Sequence, residues 1–282
     1  MNSITLNAYA KINLYLDVTG KRSDGYHLLE TVMHSISLCD KVTLCTCNEG
    51  ISVSCSDASI PCDDSNIAVR CAKAFFEKTG ISSSGVSIAI EKSIPTMAGL
   101  GGGSADGAAV LHGMNILFQG GLTKDELSDI AASIGADIPF CLTSGCGWCT
   151  GIGEIITPLP RIHGFAVIGK GSQGISTAEA FRKIDSCGIS IGNKNAKQIF
   201  SNVSSLTDIA PYCRNVFDEA SELDEVSCIK KLMLESGALC SCMTGSGSAV
   251  FGLFDDINTA LDSAALLNEN GFYNAVCKLG TL

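Results

Sequence analysis

The segment GLGGGSADGAAV, residues 99–110, most constrains the fold, because it places four glycines within five residues directly before an alanine-rich stretch. Glycine adopts positive φ angles and lets a ligand approach the backbone closely, whereas alanine favours a helix. The pattern predicts a loop that follows a strand and enters a helix capped by Ser104 and ending near Phe118. Because N–H groups at a helix N-terminus attract anions, the loop favours a phosphate site over a plain tight turn.

Three well-known nucleotide-binding patterns do not fit this loop. A P-loop needs Gly-x4-Gly-Lys followed by a hydroxyl residue, and the nearest segment, GFAVIGKG, has Gly171 in that place. The Rossmann glycines open the first strand–helix turn of a parallel unit, whereas these glycines follow what reads as an antiparallel meander. The HRD and DFG elements of protein kinases are missing. The remaining interpretation is an ATP loop of another type.

The chain mixes strands and helices, and its early strands are too closely spaced for simple strand–helix–strand units. Strands are predicted at 4–18, 29–38, 40–47, 51–56, 85–94, 165–170 and 273–279, with a strand and glycine stretch at 240–254. This pattern predicts an α+β fold of two domains, 1–157 and 158–282, which meet near Pro158 to Pro160.

The predicted helices carry recognisable start and stop signals. The helix over 65–80 takes Ser65 as its N-cap and has Gly80 just past its end, and the helix over 123–135 opens with the capping box Thr123/Glu126. Further helices are predicted at 176–184, 224–237 and 257–271.

Composition narrows the class of protein. The net charge of −10 argues against general binding to nucleic acid or membrane surfaces. No apolar run approaches the roughly 18 to 20 residues that span a bilayer, and the N-terminus lacks the basic region of a signal peptide. A cytoplasmic location is therefore expected, and the fifteen cysteines are expected to be mostly free thiols. The oligomeric state stays open between monomer and homodimer.

Three segments resemble the motifs of the GHMP kinase superfamily: AYAKINLYLDVTGKRSDGYHLLETVMHSI near the start, IPTMAGLGGGSADGAAV in the middle and MTGSGSAVFGLF near the end. One branch of this superfamily phosphorylates a cytidylated alcohol in isoprenoid precursor synthesis. Two segments closely resemble that branch, AKINLYLDVTGKRSDGYH and GADIPFCL. The resemblance implies a two-domain fold with the active site in the interdomain cleft. It also implies ATP as co-substrate, Mg²⁺ and a small-molecule substrate.

The resemblance implies a catalytic pair. Asp137 matches the catalytic aspartate that accepts the hydroxyl proton, and Lys11 matches the lysine that supports it. A nearby cation lowers the pKa of a carboxyl group, so the lysine would keep the aspartate ionised at neutral pH. Taken singly, Asp137 also reads as a turn residue after Gly135, and Lys11 as a solvated strand lysine, although it interrupts an apolar stretch.

The implied substrate residues surround the cytidine group. Asn13, Tyr26 and His27 match positions near the cytidine diphosphate, where a histidine can bond the base edge. Phe181 resembles the stacking ring, with Thr177 nearby. Phe181 reads almost equally well as an ordinary core anchor.

The implied ATP-binding residues centre on the glycine loop. They are Asn66, Lys92, Pro95, Ala98, Gly99, Leu100, Gly101, Gly102, Gly103 and Ser104. Asn66 and Lys92 match positions near the adenine, although a solvated charge at a strand end is an equally good interpretation of Lys92. The metal ligands stay unassigned. Met97 departs from the family, which usually has a small residue there; its thioether would crowd the adenine side or pack outward.

Two alternatives to this assignment remain. Cys141, Cys146 and Cys149 have the C-x4-C-x2-C spacing of an iron–sulfur loop and include a C-x-x-C, with Cys187 as the nearest downstream fourth ligand. The second alternative is another GHMP-type kinase, acting on homoserine, mevalonate or a sugar. The Tyr26-His27 pair favours the cytidylated alcohol over these smaller substrates.

Overall fold

The structure, a computed structural model, describes residues 2–81, 85–187, 192–203 and 205–280. Contacts between residues divide the chain into two units. The first unit comprises Met1–Ala10, Leu38–Pro95 and Gly101–Ser144, and the second comprises Lys11–Ser37, Thr96–Leu100 and Gly145–Leu282. Segments of the two units therefore alternate along the chain, whereas the expected boundary at 157/158 assigns each domain one continuous segment. That boundary stays a prediction.

Two long strands contribute to both units, β1 (Ser3–Lys21) and β2 (His27–Cys47). In the first unit, the end of β2 pairs antiparallel with β4 (Gly85–Glu91), and β3 (Ile51–Cys55) pairs parallel with β4. The residues of β4 alternate: Val86, Ile88 and Ile90 are buried while the residues between them are exposed, as expected for a strand with one face on a core.

Four helices complete the first unit: α1 (Ile67–Thr79), α2 (Gly102–Leu117), α3 (Lys124–Ile134) and α4 (Ile138–Thr143). Phe75, Val110 and Met114 are fully buried among them. Close packing of α1 on α2 depends on Gly107, since a Cβ there would lie 2.7 Å from Ile67. The small residues of α2 thus serve helix packing as well as helix formation.

The structure corrects two predicted helix starts. The N-cap of α1 is Asn66, whose side chain accepts a hydrogen bond from the Ala68 N–H, and not Ser65. The N-cap of α2 is Gly101 at φ +70°, so Ser104 lies inside the first turn and does not cap it. Gly80 does end α1, in the left-handed region at φ +69°.

The second unit contains an antiparallel sheet in the order β11-β7-β10-β9. The strands of this unit after β2 are β5 (Cys146–Thr150), β6 (Ile155–Pro158), β7 (Gly164–Lys170), β8 (Arg214–Asn215), β9 (Cys240–Met243), β10 (Val250–Phe254) and β11 (Tyr273–Leu279). In register, Val167 of β7 lies opposite Gly252 of β10 and Val276 of β11. The early part of β2 pairs with β5 and β11.

The helices of the second unit are α5 (Thr177–Cys187), α6 (Ala196–Ser201), α7 (Leu206–Ile209), α8 (Val216–Glu219), α9 (Asp224–Glu235) and α10 (Ile257–Glu269). Ile229 and Met233 of α9 pack with Val167 and Phe254 in one core. The α+β class expected from the sequence is confirmed. None of the helices in the described part of the chain has the length and apolar character needed to cross a membrane.

Candidate active site

The glycine loop packs backbone against backbone on a second glycine-rich loop, residues 244–249. Gly99 has φ +73°, and a Cβ there would collide with the carbonyl oxygen of Thr244. A Cβ on Gly245, at φ +55°, would lie 2.7 Å from the Gly99 oxygen. The Ala249 N–H donates to the Ala98 oxygen at 3.2 Å. Both glycines are therefore required by close approach as well as by their φ angles.

The loop enters α2 without a capping side chain, because the N-cap is Gly101. The first backbone hydrogen bond of the helix runs from the Ala105 N–H to the Gly101 oxygen at 2.9 Å. The N–H groups before it, over 102–104, are those that a helix leaves for an outside acceptor. This end of α2 therefore has the backbone geometry that suits an anion.

Lys92 lies directly against this helix end and is not a solvated charge. Its side chain is 7% exposed, and its Nζ donates to carboxylate oxygens of Asp40 and, at 2.8 Å, of Asp106. A Cβ on Gly102 would lie 3.2 Å from the Nζ atom. The other oxygen of Asp40 accepts the backbone N–H groups of 93 and 94. The three charged side chains thus join the strand before the loop to the helix after it.

This cluster contains two carboxyl groups, Asp40 and Asp106, but only one cation, Lys92. Burial raises the pKa of Asp106 to about 7, Lys92 acts to lower it, and Asp40 acts to raise it. Burial also acts to lower the pKa of Lys92, but Asp106 and Asp40 outweigh it, so that pKa is raised and the ammonium persists. Asp106 Oδ1 is buried and has no hydrogen-bond partner among the described residues. Sequence reasoning assigned no role to Asp40, although an acidic residue within an apolar strand was a usable signal.

Lys11, in the second unit, lies next to Leu100 of the glycine loop. Its side chain is buried, its Nζ donates to Asn13 Oδ1 at 2.8 Å, and its backbone N–H donates to the Leu100 oxygen at 3.0 Å. The same Asn13 oxygen accepts the Gly245 N–H at 3.0 Å, and Asn13 Nδ2 donates to Thr31 at 2.8 Å. Asn13 therefore links the lysine side chain to the 244–249 loop, whereas the lysine backbone contacts the glycine loop.

Asp137 lies in the first unit, at the N-cap position of α4, and is half-buried. Its side chain makes no capping hydrogen bond to that helix. Pro139 stands in the first turn of α4, where a missing N–H costs nothing. The short helix thus fixes the backbone of Asp137 without engaging its carboxylate as a cap.

The structure brings two of the predicted substrate residues together. The rings of His27 and Phe181 stack with centroids 4.5 Å apart and planes at 15°. Tyr26, next to His27, is 58% exposed. Thr177, at the start of α5, has its hydroxyl 3.0 Å from that of Ser246 in the 244–249 loop. One face of Phe181 is therefore covered by His27.

Asn66 and Met97 have clear local environments. Asn66 caps α1 and also donates to the Pro61 oxygen at 2.7 Å, so both ends of its amide group are engaged. Met97 is 64% exposed, and its Cβ lies near Gly174 in the second unit. Its Cε atom also lies near Gly174, so the side chain lies at the surface against that glycine.

In the part of the chain that the structure describes, Cys141, Cys146 and Cys149 do not belong to a group of side chains that could hold a metal ion. Cys146 and Cys149 both lie on β5, where residues three apart point to opposite faces of the sheet. Both are buried, and burial raises the pKa of Cys146 to about 12. Within the described residues, no three His, Cys, Asp or Glu side chains could hold a metal ion. The side chain of Cys187 lies outside the described residues.

Known proteins match this chain over its length. The GHMP kinases N terminal domain matches residues 66–145. A protein of Desulfitobacterium hafniense named 4-diphosphocytidyl-2-C-methyl-D-erythritol kinase is 42% identical over 277 residues, which cover 96% of this chain and 94% of that protein. A Clostridium tetani protein of the same name is also 42% identical, over 88% of this chain and 90% of its own.

Solved structures agree with these relatives. A crystal structure of 4-(cytidine 5'-diphospho)-2C-methyl-D-erythritol kinase matches with a TM-score of 0.83 and 28% identity, covering 99% of this chain and 100% of that one. A homoserine kinase from Cytophaga hutchinsonii matches with a TM-score of 0.77 at 19% identity, over 98% of this chain and 94% of that one. The second likeness shows the shared fold alone.

Proposed function

The chain belongs to the family of 4-diphosphocytidyl-2-C-methyl-D-erythritol kinases, and from that membership we propose that it transfers the γ-phosphate of ATP to the 2-hydroxyl of 4-diphosphocytidyl-2-C-methyl-D-erythritol. It is a phosphotransferase with an alcohol acceptor. The observation that carries the choice of substrate is the 42% identity over 96% of the chain to a kinase of that name.

We propose that the triphosphate of ATP lies against the glycine loop and the N-terminus of α2. The N-cap Gly101 supplies no side chain, so the first-turn N–H groups can face phosphate oxygens. Phosphoryl transfer depends mainly on positioning and on charge neutralisation. In this proposal Mg²⁺ enters with ATP as part of the co-substrate. Lys92 supports the site through Asp40 and Asp106, which hold the strand before the loop and the first turn after it.

The proposed base is Asp137, which would accept the proton of the attacking hydroxyl. Lys11 is proposed to favour the ionised form of that carboxylate and to polarise the hydroxyl. The backbone of Lys11 bonds directly to Leu100, which supports a position near the phosphates. Asn13 would act mainly by holding the Lys11 ammonium in place.

The proposed cytidine site comprises Tyr26, His27, Phe181 and Thr177. Tyr26 offers an exposed ring for stacking, and His27 offers a ring nitrogen for the base edge. Because His27 already covers one face of Phe181, a base would stack on that phenyl ring only from its other side or after His27 moves.

The test is ADP release from ATP and Mg²⁺ with 4-diphosphocytidyl-2-C-methyl-D-erythritol, beside mevalonate, homoserine and galactose. Asp137→Asn should lower kcat by at least about a hundredfold, the range expected for loss of a general base. Asp129→Asn, on the exposed face of α3, is the matched control and should leave kcat unchanged.

Turnover confined to the cytidylated alcohol, and lost in Asp137→Asn alone, supports the proposal. Turnover of another alcohol instead would overturn the substrate, and full activity of Asp137→Asn would overturn the base.

A further inference from the structure

Helix α5 holds the imidazole of His27 by two side chains one turn apart. Phe181 stacks on the ring, and Asp185, four residues later, places its Oδ1 2.7 Å from His27 Nε2. Phe181 is itself fixed by an edge-on contact with Phe217, with centroids 4.9 Å apart and planes at 89°. The stacking sets the plane of the imidazole, and the carboxylate sets its rotation within that plane.

The same carboxylate determines which ring nitrogen carries the proton. The other oxygen of Asp185 accepts from Lys21 Nζ at 2.6 Å. This bond and the one from His27 lower the pKa of Asp185, so its carboxylate is ionised at neutral pH. An ionised carboxylate can only accept hydrogen bonds, so Nε2 must donate. In the neutral imidazole, Nδ1 is then left with a lone pair.

We propose that Asp185 is a positioning residue for base recognition: it holds His27 as the Nε2–H tautomer, so that Nδ1 accepts a hydrogen bond from the amino group of cytosine. The identity of the base rests on the proposed function. Cytosine carries an amino donor at C4, whereas uracil carries a carbonyl acceptor at the equivalent place. An Nδ1 lone pair attracts the first group and repels the second. Discrimination between the two pyrimidines is thus assigned to a carboxylate that does not touch the base.

The test uses Asp185→Asn, because an amide can accept or donate and no longer dictates the tautomer. Asp185 is 42% exposed, so the substitution leaves no buried charge behind. The matched control is Glu179→Gln, an exposed acidic residue on the same helix. CDP and UDP are the probes, titrated with ADP present to occupy the proposed ATP site. Nitrogen-15 NMR of the imidazole reports the tautomer directly, with the His27 signals assigned by their loss in His27→Gln.

The wild-type protein should show the Nε2–H tautomer, and Asp185→Asn should reduce the CDP-over-UDP preference by about tenfold, as expected for one lost discriminating contact. Glu179→Gln should keep the wild-type preference. In turnover, the Asp185→Asn effect should fall on KM for the cytidylated alcohol and leave kcat nearly unchanged.

A wild-type imidazole protonated at Nδ1, or an unchanged CDP-over-UDP ratio in Asp185→Asn, overturns the inference. The NMR measurement reads the tautomer in the wild-type protein and uses His27→Gln only to assign its signals, so misfolding of Asp185→Asn does not affect it. A protein that prefers CDP and loses that preference in Asp185→Asn, yet fails to phosphorylate the cytidylated alcohol, would refute the proposed reaction and still support the role of Asp185.

Discussion

At the scale of single residues, burial changes what a charged side chain does. Lys92 reads from the sequence as a strand-end charge as readily as a ligand contact, because sequence position alone does not reveal its partners. In the structure it is enclosed by Asp40 and Asp106, two carboxylates far from it in sequence. A charge in such a site is costly to leave unpaired, so the three side chains depend on one another.

This dependence predicts a large effect of Lys92→Met, which keeps the side-chain length and removes the charge. Two buried carboxylates would lose their cation, and the free energy of unfolding should fall by about 3–5 kcal/mol in urea denaturation. Lys73→Met is the control, because its ion pair with Asp64 is exposed; the loss there should be under about 1 kcal/mol. Equal losses in the two variants would show that the Lys92 cluster contributes no more than a surface pair.

At the scale of elements, local signals predicted helix ends better than strand connections. The capping box Thr123/Glu126 is present at the start of α3, since it depends only on residues three apart. Ser104 was wrong as a cap because Gly101, at positive φ, already starts the helix. Segments 29–38 and 40–47 form one strand, β2, whose two parts pair with different strands. Such pairing is set by distant residues and was not readable locally.

In the candidate site, too, features set within one segment were predictable from the sequence, and contacts between distant segments were not. The glycine turn before α2 was readable from the spacing within one segment, whereas the ATP-binding role of its residues stays a prediction. The packing of Gly99 on Thr244, the sequestering of Asn13 and the part played by Asp185 join segments far apart in sequence. No pattern within a single segment predicts them.

The packing of the two loops predicts that Gly99→Ala impairs ATP use. The new methyl group would collide with the Thr244 carbonyl, so the glycine loop must shift. KM for ATP should rise about tenfold or more, a cost of roughly 1.4 kcal/mol. Gly121→Ala is the matched control, since Gly121 has φ +68° but open space around its Cβ position. It should cost about 1 kcal/mol of stability and leave KM for ATP unchanged. Equal KM values in the two variants would contradict the proposed role of the contact.

At the scale of the whole molecule, two buried groups change the stability in opposite directions as the pH falls: His34 lowers it and Asp106 raises it. His34 is buried, with Nδ1 bonded to the Ser35 oxygen and Nε2 accepting the Ile162 N–H. Burial lowers its pKa to about 4, so the unfolded chain takes up a proton first as the pH falls. His34 therefore lowers the free energy of unfolding as the pH falls from about 6.5 to 4. Asp106, whose pKa is raised, does the reverse: its contribution grows as the pH falls below about 7.

Acidification from pH 7.5 to pH 5 should therefore cost about 2 kcal/mol through His34 alone. Asp106→Asn should make the loss of stability with falling pH steeper than in the wild type, because the compensating group is gone. His112→Gln, at an exposed histidine, is the matched control for removal of a histidine. Urea unfolding at several pH values measures the profile, and NMR titration of His34 in the native protein checks its pKa. A native His34 that titrates near 6.5 would contradict the assignment.

The alternation of the two units along the chain has a consequence for synthesis on the ribosome. Every residue of the first unit has been made once Ser144 is added, so that unit can begin to fold while the chain is still attached. Lys11–Ser37, made much earlier, belong with residues that follow Gly145. At about 5–20 residues per second, roughly ten to fifty seconds pass between the synthesis of those apolar strand segments and that of the last of their partners. During translation, the apolar strand segments in Lys11–Ser37 therefore stay exposed until the second half of the chain has been made.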